Sequence, residues 1–110
     1  MSVAEPDPPK VVATNPTPGA TIEPGPLLLS VTYDRAMQAG SYSFAGDPAL
    51  APEDCGIPEQ SNDGCTYSMR CTVSRGREYE IWFNRGQYMN FRSQEGISAK
   101  PFRLAFSVGR

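Results

Sequence analysis

The sequence predicts an all-β fold, a sandwich of two antiparallel sheets with about seven strands, and three features support this prediction. The 110 residues include 11 prolines and 10 glycines, a density without period that breaks helices and separates short strands. Apolar and polar residues alternate in several segments, as they do in strands that bury one face. A glycine-based turn also precedes a tyrosine at the start of one of these strands.

The turn and the tyrosine are Gly76 and Tyr79, and the strand is predicted over residues 77–84. In Greek-key sandwiches of the immunoglobulin type, a tyrosine at this place bonds back to the backbone upstream. We therefore expect the Tyr79 hydroxyl to bond to the backbone within 73–76. The predicted fold class is thus an immunoglobulin-like antiparallel Greek-key β-sandwich.

The first half of the chain contains three predicted strands. The first covers residues 10–14 and ends at a turn with two prolines, which fix φ. The second covers residues 27–33, where the odd-numbered positions are apolar. Residues 34–38 interrupt this alternation and predict a single helical turn, with Met37 closing the edge of the core. A third strand is expected over residues 41–44.

The second half contains two long connections. Residues 45–64, here called the crossing segment, are polar and rich in proline and acidic residues, so we expect an irregular path with a short strand near Leu50. Strands follow over 65–73 and 77–84, and the connection 85–96 leads to the last strand, 102–108. The predicted core consists of Leu29, Val31, Tyr67, Met69, Cys71, Tyr79, Ile81, Phe83, Leu104 and Phe106.

Length and charge restrict the classes of function. A chain of 110 residues suits one domain, which we expect over residues 9–110 after an extended, proline-rich segment over 1–8. The net charge of −2 disfavours nucleic acid, which requires a basic face. The sequence contains no run of about 20 apolar residues, so we expect no insertion into a membrane. Without a signal peptide, the chain is either cytoplasmic or part of a longer exported protein, and we favour export to the periplasm or cell exterior.

Four stretches of the sequence resemble the bacterial immunoglobulin-like domain of S-layer and other exported proteins. The stretches are 9–12 (PKVV), 15–20 (NPTPGA), 29–37 (LSVTYDRAM) and 102–107 (FRLAFS). The resemblance implies a non-catalytic module that serves as spacer, scaffold or interaction surface beside other domains of a longer chain. The chain departs from the family in its three cysteines and in its long crossing segment.

The chain has no histidine, which removes Ser-His-Asp and Cys-His nucleophile systems and most zinc or copper sites. We expect no catalytic residues, no metal and no cofactor. The crossing segment lacks the spacing of a calcium loop. For the cysteines we predict a bridge between Cys55 and Cys65, with Cys71 as a buried thiol. The alternative is three reduced thiols in a cytoplasmic protein.

Trp82 falls on the face of its strand opposite Tyr79, so the alternation predicts that it points away from the core. Tyr88 and Phe91 of the following connection either cover it or join it in an exposed patch. Such a patch would suit a protein or carbohydrate partner, because tryptophan and tyrosine are enriched at binding surfaces. The leading function is therefore a structural or interaction module, and the alternative is a carbohydrate-binding module.

Overall fold

Two four-stranded sheets form the protein, for which a computed structural model describes residues 7–110. The strands are β1 (Val11–Asn15), β2 (Thr21–Ile22), β3 (Gly25–Tyr33), β4 (Phe44–Ala45), β5 (Glu59–Gln60), β6 (Thr66–Val73), β7 (Glu78–Phe83) and β8 (Phe102–Val108). The sheet orders are β1-β3-β6-β5 and β2-β8-β7-β4. These orders correspond to strands A-B-E-D and A′-G-F-C of an immunoglobulin-like sandwich. The predicted fold class is confirmed. Residues 1–6 of the expected extended segment lie outside the described residues.

The described residues contain eight strands, and two of these, both short, were not predicted. β2 follows the turn after β1 and pairs in parallel with β8, so the chain changes sheets there. β5 pairs with the middle of β6 in the other sheet. Every other neighbouring pair is antiparallel. The long strands β3, β6, β7 and β8 lie where alternation predicted them.

The core lies between the sheets and contains all ten predicted core residues. Their burial confirms the predicted register, because a shift of one residue would turn each strand's apolar side chains outward. Three further core residues come from the connections: Met37, Phe91 and Ala99 are each at most 1% exposed. The connections therefore close one end of the sandwich.

Two local predictions are wrong. Residues 34–38 form no helical turn; Met37 instead makes a bridge to Ser93, although it closes the core edge as expected. Near Leu50 there is no strand but a 3₁₀ turn, Pro48–Leu50. The side chain of Asp47 accepts the Ala49 N–H at 2.9 Å, a capping bond that favours a helical start.

The disulfide joins Cys55 to Cys71, so the predicted bridge between Cys55 and Cys65 is wrong. Bonds from Glu53 N to Thr72 O (2.9 Å) and from Gly56 N to Arg70 O (2.8 Å) align residues 53–56 with the end of β6. This pairing brings Cys55 to Cys71. Cys65 precedes the other end of β6 and keeps a free, half-buried thiol.

Candidate functional site

The outer face of the second sheet carries the aromatic side chain that the sequence singled out. Trp82 lies on this face of β7 and is half-buried. Its Nε1 donates to Glu80 Oε1 at 3.0 Å, and the Arg85 guanidinium carbon lies 4.6 Å from the indole centroid. An arginine at that distance makes a cation–π contact with the ring. Arg85 therefore covers the indole, a role that the sequence left as one of two alternatives for Tyr88 and Phe91.

Glu80 connects this cluster to the neighbouring strand. Its Oε2 accepts from Nε of Arg103 at 2.7 Å, and Arg103 stands opposite Trp82 in the register of β7 and β8. The hydrogen bonds from Arg103 and Trp82 lower the pKa of the Glu80 carboxyl. We call Glu80, Trp82, Arg85 and Arg103 the Trp82 cluster. Its charged and polar groups bond mainly to one another.

The backbone near Gly46 leaves little room at one edge of the Trp82 indole. A Cβ placed on Gly46 would lie 3.2 Å from the indole Cδ1, closer than ordinary contact. The chain after β4 thus passes directly over the edge of the indole.

Tyr88 is the exposed aromatic residue of this region, with 56% of its surface accessible. It ends a tight turn in which Arg85 and Tyr88 exchange backbone hydrogen bonds of 2.7 and 2.9 Å. The turn forms one wall of an open groove of about 590 Å³, whose other wall is residues 44–46. The groove is lined by the aromatic side chains of Tyr88 and Phe44, by the Arg85 guanidinium and by the amide of Gln87.

Phe91 does not belong to this surface, and its predicted place in a partner patch is wrong. It is fully buried, with its ring centroid 5.1 Å from that of Phe44 and 5.5 Å from those of Tyr33 and Tyr67. The alternation of strands could not place it, because it lies in an irregular connection. Trp82 and Tyr88 are the two predicted residues that remain on the surface.

Asn84 explains why Phe91 is buried. Its Nδ2 donates to the carbonyls of Phe91 (3.0 Å) and Ala99 (2.8 Å), and its Oδ1 accepts the Phe91 N–H at 2.9 Å. Asn84 is itself fully buried and has φ of 66°, a left-handed conformation that asparagine tolerates better than most residues. The strand predicted over 77–84 places Asn84 at its end, whereas the observed strand ends at Phe83.

The tyrosine corner is present as predicted and is larger than expected. Tyr79 Oη accepts the Ser74 N–H at 2.7 Å and donates to Glu53 Oε2 at 2.9 Å. The other Glu53 oxygen accepts from Arg77, whose guanidinium carbon lies 5.3 Å from the Tyr79 ring centroid. Glu53 belongs to the crossing segment, so the corner also anchors that segment. Sequence reasoning missed this role.

Asp63, near the end of the crossing segment, serves local structure. Asp63 Oδ1 accepts from the Ser61 hydroxyl (2.6 Å) and the Cys65 N–H (3.0 Å), and these bonds lower the pKa of its carboxyl. Partial burial, with Asp63 and Asp34 nearby, raises the pKa of the Cys65 thiol. Within residues 7–110, no three His, Cys, Asp or Glu side chains are placed to hold a metal ion.

Comparison with solved structures finds a similar fold. The S-layer protein rSbsC(31-844) superposes with a TM-score of 0.58 at 15% sequence identity, over 93% of this chain. The chain corresponds to 14% of that protein's length. No protein-family model and no curated protein sequence matches the chain. In the part of the chain that the structure describes, no helix is long and apolar enough to span a membrane.

Proposed function

We propose that this chain is a non-catalytic structural module of an exported or cell-surface bacterial protein. The observation that carries the proposal is the likeness to an S-layer protein over 93% of the chain. At 15% identity this likeness concerns the fold alone. The module would act as a spacer or scaffold beside other domains of a longer chain.

The use of the polar side chains supports a structural role. Glu53, Glu80 and Asp63 accept hydrogen bonds that hold the corner, the Trp82 cluster and the turn before β6. General acid or base catalysis needs a group within reach of a substrate and with a suitable pKa. The pKa of Glu80 is lowered by its partners, which suits an ion-pair partner better than a proton donor at neutral pH.

The disulfide supports export, to the periplasm or to the cell exterior. Bridges such as Cys55–Cys71 persist in oxidising compartments and are rare in the cytosol, where thiols are kept reduced.

Protease treatment of intact cells that make the full-length protein tests the proposal. If the module lies at the cell surface, an antibody against it should detect fragments released from intact cells, and a membrane-impermeant biotin reagent should label it. If it lies in the periplasm, both signals should appear once the outer membrane alone is opened. A cytosolic protein of the same cells should stay intact as the control. Detection of the module only after lysis of both membranes, with its cysteines reduced, would refute export.

A carbohydrate-binding role is the second candidate, and the exposure of Tyr88 beside the open groove favours it. Sugar rings stack on accessible aromatic faces, and guanidinium or amide groups can bond their hydroxyls. The covered face of Trp82 argues against the larger platform that the sequence suggested.

Titration of the ¹⁵N-labelled protein with soluble cell-wall glycan fragments tests this second candidate. Binding in the groove should shift the amide signals of residues 44–46 and 85–88, and Tyr88→Ala should abolish the shifts. Leu50→Ala, which truncates another surface side chain, is the matched control. Unchanged spectra at millimolar glycan would eliminate the groove as a sugar site.

A further inference from the structure

The two ends of the described chain lie at opposite poles of the sandwich. β1 begins at Val11, opposite Tyr33, the last residue of β3. β8 ends at Val108, whose N–H bonds to the Arg77 carbonyl in the turn between β6 and β7. That turn comes directly after the last residue of β6. This last residue pairs with the first residue of β3. The chain therefore enters beside one end of β3 and leaves beside the other.

The segment after β1 is bonded directly to the last strand. β2 and β8 run in parallel, and three backbone hydrogen bonds flank or extend their pairing. These bonds run from Gly19 N to Ala105 O (2.7 Å), from Ser107 N to Ala20 O (2.9 Å) and from Gly109 N to Ile22 O (2.9 Å). They connect the chain near its first strand to the chain near its last residue.

Tension between the two ends would act on this pairing in a particular direction. It would pull β2 toward the pole where β1 begins and β8 toward the opposite pole, so the two strands would have to slide past each other. Hydrogen bonds between parallel strands are evenly spaced along the pair. Such bonds share a sliding force and break together, whereas bonds at a peeled edge break one after another.

We propose that the β2–β8 pair is a clasp that keeps the module folded when the chain is pulled by its ends. Resistance to tension is then a further function of this sandwich. Forced unfolding is governed by the unfolding rate, and the clasp raises the barrier that sets this rate. The proposed surface role supplies the source of the tension, but the clasp itself does not depend on it.

Two neighbouring features define the path of the force. β1 is bonded along its length to β3, and the Asn15 side-chain amide adds a bond to Leu28 O at 2.6 Å, so β1 is loaded before the clasp. The disulfide between Cys55 and Cys71 joins the crossing segment to β6. It bridges neither β2 nor β8, so the clasp consists of non-covalent bonds.

The direction of pulling tests the clasp in the unmodified fold. Azide-bearing residues placed at Asp7 and Arg110, or at Arg75 and Arg110, attach the same protein to optical-tweezer handles. The first pair loads β2 and β8 in opposite directions, and the second peels β8 from β7. We expect a clearly higher unfolding force for the first pair at the same loading rate. Equal forces in the two directions would overturn the proposal.

A matched pair of variants tests the bonds themselves. Gly109→Pro removes the N–H that bonds Ile22 O across the clasp, and Gly56→Pro removes the N–H that bonds Arg70 O at 2.8 Å, away from it. At both sites the proline ring carbon takes the place of the amide hydrogen and crowds the acceptor oxygen, so the two variants disturb their surroundings in the same way. Loss of the clasp bond should speed unfolding under end-to-end tension roughly two- to tenfold, the range for one hydrogen bond.

Gly56→Pro should leave the end-to-end unfolding rate within error of the parent, even if both variants melt at lower temperature. An equal effect of the two variants on that rate would contradict the clasp. Cell-surface exposure is measured separately by protease treatment, so failure of the structural proposal and failure of the clasp give different results. If Gly109→Pro does not fold, the two pulling directions still decide the question.

Discussion

At the scale of single residues, the side chains that define this fold are polar groups with several partners. Tyr79 was predicted from a turn and a strand, and its hydroxyl bonds the Ser74 N–H as expected. The structure adds Glu53, which lies 26 positions earlier in the chain and accepts from the same hydroxyl. One hydroxyl therefore satisfies both a backbone donor and a carboxylate.

Tyr79→Phe should keep the fold and lower the free energy of unfolding by about 1 to 3 kcal/mol, since two hydrogen bonds of 0.5–1.5 kcal/mol each disappear. Urea denaturation measures the loss. Tyr88→Phe is the matched control, because Tyr88 is exposed, and it should change the midpoint little. Identical midpoints for the two variants would remove the corner from the account of stability.

Glu80 should give the native protein a fluorescence transition in acid. Trp82 is the one tryptophan of the chain, and its indole N–H donates to Glu80. The bonds from Arg103 and Trp82 hold the pKa of Glu80 below its ordinary value of 4.5. We expect a change in Trp82 emission with a midpoint below pH 4.5, absent in Glu80→Gln and retained in Asp63→Asn.

The same shift determines the sign of the effect on stability. Because the folded-state pKa of Glu80 is lowered, its contribution is fully present above the ordinary value of 4.5 and is lost as the pH falls through the folded pKa. Stability should therefore decrease with acidification in that window, and less so in Glu80→Gln. A fluorescence midpoint at or above 4.5 would contradict the proposed bonding.

At the scale of elements, the connections bury Met37, Phe91 and Ala99 in the core, whereas the two-residue strands β2, β4 and β5 hold only partly buried or exposed residues. The connection after β7 bends inward at Asn84, whose side chain bonds the backbone of Phe91 and Ala99. Those bonds bury the Phe91 ring among other aromatic rings. One buried amide thus bonds two separate points of this connection.

Two substitutions at Asn84 should separate its bonds from its backbone conformation. Asn84→Ala should cost about 3 kcal/mol or more, because it removes three buried hydrogen bonds and keeps a left-handed φ that alanine disfavours. Asn84→Gly should cost about 1 kcal/mol less, since glycine accepts that φ. Chemical denaturation checks both values. Equal losses would show that the conformation at Asn84 contributes nothing measurable.

At the scale of the whole molecule, the crossing segment is attached to both sheets. The disulfide joins it to β6 in the first sheet, and Glu53 joins it to Tyr79 in the second. Arg77 adds a bond to the Ala49 carbonyl at 3.0 Å. A polar segment with few apolar residues is thereby fixed by covalent and hydrogen bonds.

Reduction of the disulfide should lower the free energy of unfolding by about 3 kcal/mol, the chain-entropy value for a loop of 15 residues. Urea denaturation with and without reductant measures this change in a Cys65→Ser background. In the parent protein, alkylation after unfolding without reductant should give one label, on the Cys65 peptide. Labels on all three cysteines would show that no bridge exists.

The sequence by itself determined the sandwich, its four long strands and their inward faces. Alternation in 27–33, 65–73, 77–84 and 102–108 was enough, because a strand's two-residue period records which side chains are buried. The tyrosine corner was equally local, since Tyr79 and Ser74 are five residues apart. Strand alternation and the tyrosine corner both involve residues that are close in the chain, so the sequence alone was enough to predict them.

Only the tertiary structure decided the disulfide, the position of Phe91 and the pairing of β2 with β8. Each depends on segments that are distant in the chain and lack a repeating pattern: Cys55 meets Cys71 because residues 53–56 align with β6. Two-residue strands such as β2 are too short to show alternation. Irregular segments are placed by the surfaces they meet, and those surfaces exist only once the sheets have packed.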